Sequence, residues 1–152
     1  MDVYTRLKEL GWEIPEARSS SSLFLPGVVH NGILTLSGKT SGSGRWSCKG
    51  KLESEVSIEE AQLGARQAVL NALSSVQQVL GDLNRVERVI RMTGYVNCDP
   101  AFGNQPEVMN GGSEALIALF GEAGQHARTA IGVAALPSGA TVEIDLYLAV
   151  KS

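Results

Sequence analysis

The chain is expected to fold as an α+β domain: a single mixed sheet with two helices packed on one face, in the order β-β-α-β-α-β-β after a short N-terminal helix. Three observations predict it. Apolar runs flank an Asn31-Gly32 pair near the start, the strongest short hairpin signal because both residues tolerate positive φ. Two stretches of helical period, over 57–80 and 107–120, are separated by an alternating stretch over 85–97. Two further alternating runs, 128–133 and 142–148, close the chain. With 152 residues, 43% of them hydrophobic, this is enough for one core and one domain spanning 1–152.

Residues 2–11 read as a short helix, with Val3, Leu7 and Leu10 at helical spacing and Gly11 as the stop. A polar connector, 19–22, leads to strands over 23–29 and 33–36. The segment 39–50 is rich in Gly, Ser and Lys. It lacks the Gly-Lys-Ser/Thr ending of a phosphate loop and reads as a mobile loop beside a pocket. Ser57 and Glu60 form a capping box. The long helix that follows carries one apolar stripe, Ala65, Ala68, Val69, Ala72, Val76, Val79 and Leu80, up to Gly81. In 85–97, Val89, Arg91, Thr93 and Tyr95 fall on one face and Ile90, Met92, Gly94 and Val96 on the other; Asp99-Pro100 breaks the strand. The second helix, 107–120, is anchored by Val108, Leu116, Leu119 and Phe120, and Gly111-Gly112 is expected to weaken its middle. The turn 136–139 separates the closing strands. Nothing in the chain covers the second face of such a sheet, so another copy of the chain is expected there, in a closed ring.

The net charge of −3 argues against nucleic acid as the main partner. No apolar run spans a membrane, and the opening residues lack the apolar core of a secretory leader. Cys48 and Cys98 are far apart, without metal-ligand spacing, and His30 and His126 are the only histidines. The expectation is a cytoplasmic protein with reduced thiols and no metal.

The last quarter of the chain carries the chemistry. Even positions of 128–133 hold Arg, Ala and Gly; in 142–148 the even positions are aliphatic, and Glu143 and Asp145 take the other side. Because side chains alternate across a strand, Arg128 and Glu143 are both expected on the open face of their strand. A guanidinium fits a carboxylate through two parallel donors, and a carboxylate can orient a water as general base. A tight hairpin at 136–139 would set Glu143 opposite Gly132, about 13 Å from Arg128, so a bulge, a wider turn or a neighbouring protomer would have to close the gap.

Asn110, Ala127-Arg128-Thr129-Ala130, Leu136-Pro137 and Val142-Glu143-Ile144 together resemble the RidA/YjgF family, formerly labelled L-PSP endoribonuclease. The likeness covers roughly 22–151 and is most specific at its C-terminal block. The run from Phe120 to Arg128 and Leu7-Lys8-Glu9-Leu10-Gly11 are similar to a longer branch of that family, with 1–21 as N-terminal helix and connector. The resemblance implies a chorismate-mutase-like sheet assembled as a homotrimer, with pockets between protomers. It implies hydrolysis of reactive enamines and imines of the 2-aminoacrylate type to a 2-keto acid and ammonia, without a cofactor. On the matching positions, Arg128 would grip the substrate carboxylate and Glu143 would position or activate water. Ser37, Gly38, Asn110 and the backbone at Ala130 would line the pocket. Phe24 would line the pocket too, at the position where the family has a tyrosine and so without its hydroxyl, and Ala130 stands where a cysteine is common.

Each residue has a plainer alternative. For Arg128 it is an ion pair with an acidic neighbour at a protomer interface, for Glu143 an interface or surface carboxylate, for Asn110 a helix cap and for Phe24 the core. His126 invites a role as base, or none. Two functions compete with the deaminase: a non-catalytic trimer that binds a small carboxylate metabolite, and an endoribonuclease.

Overall fold

Three α-helices accompany one six-stranded mixed sheet in the computed structural model, which describes residues 2–17 and 21–152. The expected connector at 19–22 therefore lies partly outside the described residues. Helix α1 (Val3–Leu10) buries Val3 and Leu7 and stops at Gly11, whose φ of 70° closes the helix in the left-handed region. Strands β1 (Gly27–His30) and β2 (Ile33–Leu36) form the expected hairpin. His30 pairs with Ile33, and Asn31 and Gly32 both take positive φ (51° and 76°) in a two-residue turn. The first strand is shorter than the 23–29 expected. Leu23, Phe24 and Leu25 precede it and stand exposed, since no strand lies on that side to receive them.

Helix α2 (Ile58–Leu80) begins at the predicted capping box, with Ser57 Oγ accepting from Glu60 N–H and Glu60 Oε1 from Ser57 N–H. Strand β4 (Val86–Asn97) follows, then helix α3 (Gln105–Phe120), β5 (Ala127–Val133) and β6 (Val142–Val150). The sheet order is β1-β2-β6-β4-β5, and the two-residue strand β3 (Lys39–Thr40) pairs with β6 beside β2. Both α2 and α3 pack on one face, as expected. Ala65, Ala68, Val69 and Ala72 are wholly or almost wholly buried, and these small side chains let α2 lie close on the layer beneath. Burying a Leu side chain removes roughly 1.5–3 kcal/mol worth of apolar surface from water; Leu70, Leu73, Leu116, Leu119, Leu146 and Leu148 each do so.

Three local expectations are corrected. A register shift between Val89 and Arg91 breaks the alternation in β4. The extra residue turns Val89 into the core with Met92 and Val96, instead of onto the face of Arg91 and Thr93. Gly111 is less a weak point in α3 than a contact: a Cβ there would run into the backbone of Gln62 on α2. The segment after β3 is also tied down. Ser41 Oγ donates to Cys48 O at 2.7 Å, Asn71 Nδ2 donates to Thr40 O and Ser43 O, and Trp46 N–H donates to Gln67 Oε1. No described helix is long and apolar enough to cross a membrane.

Candidate functional site

The closing strands are not a hairpin. β4 lies between them, parallel to β5 and antiparallel to β6. Helix α3 crosses from β4 to β5 and makes that pair parallel. Met92 pairs with Arg128 on one side and with Leu146 on the other. Paired residues on neighbouring strands share a face, and Met92 and Leu146 are fully buried under the helices. Arg128 therefore points to the helix side, at the outer edge of the sheet. One register step along, Thr93 pairs with Thr129 and Asp145, and Tyr95 with Ile131 and Glu143. Glu143 thus lies on the open face. The expectation that both residues occupy an open face fails for Arg128. Its strand is the edge of the sheet, and α3 meets it there with polar side chains instead of a packed apolar surface.

Around Arg128 the geometry is specific. Nη1 donates to Asn110 Oδ1 at 2.9 Å and to Ser113 Oγ at 3.2 Å. Asn110 and Ser113 are three apart on α3 and so lie on one helix face. Asn110 sits inside α3, exposed, and not ahead of it. Ser113 Oγ also lies 2.9 Å from His126 Nε2, and His126 Nδ1 lies 2.6 Å from Gly124 O. Ala130, on the same face as Arg128, packs against the core. Both partners of the guanidinium are neutral, and Nη1 makes both bonds. Ser113 was not singled out from sequence; its three-residue spacing from Asn110 is the signal that points to it.

Glu143 anchors a second half-site. It is half-buried and stands over Gly38, where a Cβ would collide with its carboxylate. Gly38 lies where the chain passes from β2 to β3 and carries one extra residue relative to β6: Thr35 pairs with Tyr147 but Lys39 with Ile144. Burial first, and then the negative charge of Asp145, raise the Glu143 carboxyl above its ordinary range. Tyr95 donates its hydroxyl to Asp145 Oδ2 at 3.0 Å, and its phenol is pushed up by burial and by that bond. A cavity of about 380 Å³ opens here, lined by Gly38, Lys39, Thr40, Ser43, Asn71 and Glu143, with Pro15 and Glu16 from the segment after α1. The Gly/Ser segment is thus beside a pocket, as expected.

The structure therefore brings Arg128, Asn110 and Ala130 together, and separately Gly38 and Glu143. Ser37 is half-buried and donates its hydroxyl to Leu25 O at 2.7 Å. Phe24 is 61% exposed, so it is not core in this protomer, and it does not line the Glu143 cavity. Both cysteines are buried and unpaired, and burial pushes the Cys48 thiol up. Among the described residues, no group of three or more His, Cys, Asp or Glu side chains is gathered to hold a metal.

Residues 4–149 match the family described as "YjgF/chorismate mutase-like, putative endoribonuclease". The chain is 38% identical over 145 residues to protein TCP17 of Trypanosoma cruzi, covering 94% of this chain and 91% of that one. A crystal structure of a protein of unknown function from Agrobacterium tumefaciens is 36% identical, with a TM-score of 0.90 over 98% of this chain and 92% of the other. RidA from an Antarctic Psychrobacter is similar in fold, with a TM-score of 0.58 at 23% identity over 89% and 94% of the two chains.

Proposed function

Since the chain belongs to the YjgF/chorismate-mutase-like family, we propose that it is a cytoplasmic, cofactor-independent hydrolase that converts reactive enamines and imines of the 2-aminoacrylate type to a 2-keto acid and ammonia. The observation that carries this reading is the Arg128 guanidinium. Nη1 is held by Asn110 and Ser113, which leaves the edge formed by Nε and Nη2 to grip a carboxylate bidentately. An imine carbon is already electrophilic. Holding it and supplying a water and a proton is enough, and positioned acid–base groups contribute about 10²–10⁴-fold.

Within one protomer Glu143 and Arg128 face opposite sides of the sheet, so a single small substrate cannot touch both. A homotrimer answers this, with Glu143 of a neighbouring copy orienting the water at each Arg128. The open face supports such an assembly. It leaves Val28, Ile131 and Tyr147 at 52%, 43% and 41% exposure, on a surface that one chain leaves uncovered. Two free, buried cysteines suit a reducing compartment.

The test is to generate 2-aminoacrylate enzymatically and follow pyruvate release. Wild-type protein is expected to accelerate release, and Arg128→Ala to lose about 10²-fold in kcat/KM, the worth of two hydrogen bonds to a charged group. Full activity in Arg128→Ala would refute the reading. A second reading, carboxylate binding without turnover, is favoured by Phe24 and Ala130, which remove a phenol and a thiol from the family pattern. It predicts that a keto acid raises Tm while the wild type leaves 2-aminoacrylate decay unchanged.

A further inference from the structure

We propose that Tyr95 and Asp145 are the positioning pair of Glu143: the Tyr95 hydroxyl holds Asp145 toward β4, and Asp145 drives the Glu143 carboxylate the other way, over Gly38, where it orients the water. This deepens the deaminase reading and rests on it; neither position is among those carried over from the family.

The three side chains form one half-buried cluster on the open face. Glu143 and Asp145 are two apart on β6 and so stand on the same side of the sheet. In the register of β4 and β6, Tyr95 is paired with Glu143, and Thr93 with Asp145. The phenol nevertheless donates to Asp145 Oδ2, at 3.0 Å, along the diagonal that a long aromatic side chain can span. A phenol has one proton to donate. Given to Glu143, it would fasten that carboxylate to β4. Given to Asp145, it leaves the Glu143 oxygens to other partners.

The two carboxylates accordingly splay apart. Asp145 is tied to β4, on one side of its strand. Glu143 stands over Gly38, on the side of β2 and β3, where a Cβ would collide with its carboxylate. Like charges at neighbouring positions repel, and more strongly in a half-buried place than in bulk water. With Asp145 tied down, that repulsion acts in one direction, and the missing side chain at Gly38 is the space that receives Glu143. Lys39 from β3 and Glu16 from the segment after α1 face the same cavity, but burial and then Asp145 are what raise the Glu143 carboxyl.

One neighbour thus sets both the aim and the basicity of Glu143. The water oxygen bonds to the imine carbon, and the C=N electron pair moves onto nitrogen. The proton leaving the water passes to Glu143, which returns it to that nitrogen and leaves a carbinolamine. Its hydroxyl proton follows the same route to nitrogen, the C–N bond breaks, ammonia leaves and the keto acid remains. A carboxylate that holds a proton more tightly, yet is still ionised at neutral pH, is the better base for the first of these transfers. Tyr95 and Asp145 touch neither substrate nor water and act through Glu143.

The experiment compares wild type, Tyr95→Phe, Asp145→Asn, Glu143→Gln and Arg128→Ala. It measures kcat and KM for pyruvate release from 2-aminoacrylate across pH, pyruvate affinity by calorimetry, and the sedimentation coefficient. Tyr95→Phe and Asp145→Asn are expected to lose about 10–10²-fold in kcat, the cost of a misplaced catalytic group. Pyruvate affinity should stay within about threefold of wild type and sedimentation should not change. In Asp145→Asn the acid limb of kcat/KM is expected to move to lower pH, because the charge that raises the Glu143 carboxyl is gone. In Tyr95→Phe that charge remains, and the limb should stay in place. Wild-type kcat in either variant, or an unmoved acid limb in Asp145→Asn, alongside an impaired Glu143→Gln, would overturn the pair and leave the deaminase standing. A loss of kcat matched by a loss of pyruvate affinity like that of Arg128→Ala, or by a smaller sedimentation coefficient, would overturn it too, by making Tyr95 and Asp145 supports of the fold or interface. No acceleration by the wild type would remove the deaminase reading and this pair with it.

Discussion

Arg128 and Glu143 show how differently two charged side chains can be kept in one fold. Arg128 is half-buried and is held by neutral oxygens, so these partners do not cancel its charge. Glu143 is half-buried beside a like charge, and its carboxyl holds its proton to higher pH than an unfolded glutamate does. The folded state then binds that proton more tightly than the unfolded state, so Glu143 costs stability increasingly as pH rises through the ordinary carboxyl range near about 4. Below that range both states are protonated and the cost is absent. Glu143→Gln is therefore expected to raise Tm near neutral pH by about 1–3 °C, a small gain because the group is partly exposed. Near pH 3 the gain should vanish. Thermal melts at the two pH values check this, and a gain equal at both would contradict the burial of the carboxylate.

At the level of elements, the contact between α2 and α3 positions the Arg128 half-site. Asn110 and Ser113 bond Arg128 from α3, and Gly111, between them, is where the backbones of α3 and α2 meet. Gly111→Ala adds a methyl group into the Gln62 backbone. Overpacking of this kind costs typically about 1–3 kcal/mol, against a gain of up to about 1 kcal/mol in helix propensity. A lower urea midpoint is expected, together with reduced activity as Asn110 and Ser113 shift. Gly103→Ala, which meets nothing within 4 Å, should change stability by no more than about 0.5 kcal/mol. Equal midpoints for the two variants would show that the helices adjust freely. The segment between β3 and α2 is likewise more than a connector: its bonds to Asn71 and Gln67 hold Lys39, Thr40 and Ser43 at the edge of the Glu143 cavity.

For the molecule as a whole, the helices cover one face of the sheet and leave Ile131, Tyr147, Glu143 and Asp145 on the other. Such a surface is half apolar and half charged, which suits an interface better than open solvent. Ile131→Glu is expected to shift the sedimentation coefficient from that of the proposed trimer to that of a monomer and to abolish the proposed pyruvate release while leaving the far-ultraviolet spectrum unchanged. A wild type that sediments as a monomer would remove the basis for the shared site.

The elements themselves were legible because they are written in local chemistry. The capping box at Ser57, the Asn31-Gly32 turn and the alternation of β6 each depend on residues a few positions apart. The family was legible as well, through the Arg128 and Glu143 blocks. What local pattern could not supply was the order of strands in the sheet and, with it, the side each strand presents. Alternation says that Arg128 and Glu143 avoid their apolar neighbours. Which face that is follows from β4 inserting between β5 and β6, and from α3 setting Ser113 against His126 across 13 positions of sequence. Contacts between distant segments decide such questions, because a strand's two faces are equivalent until something packs on one of them.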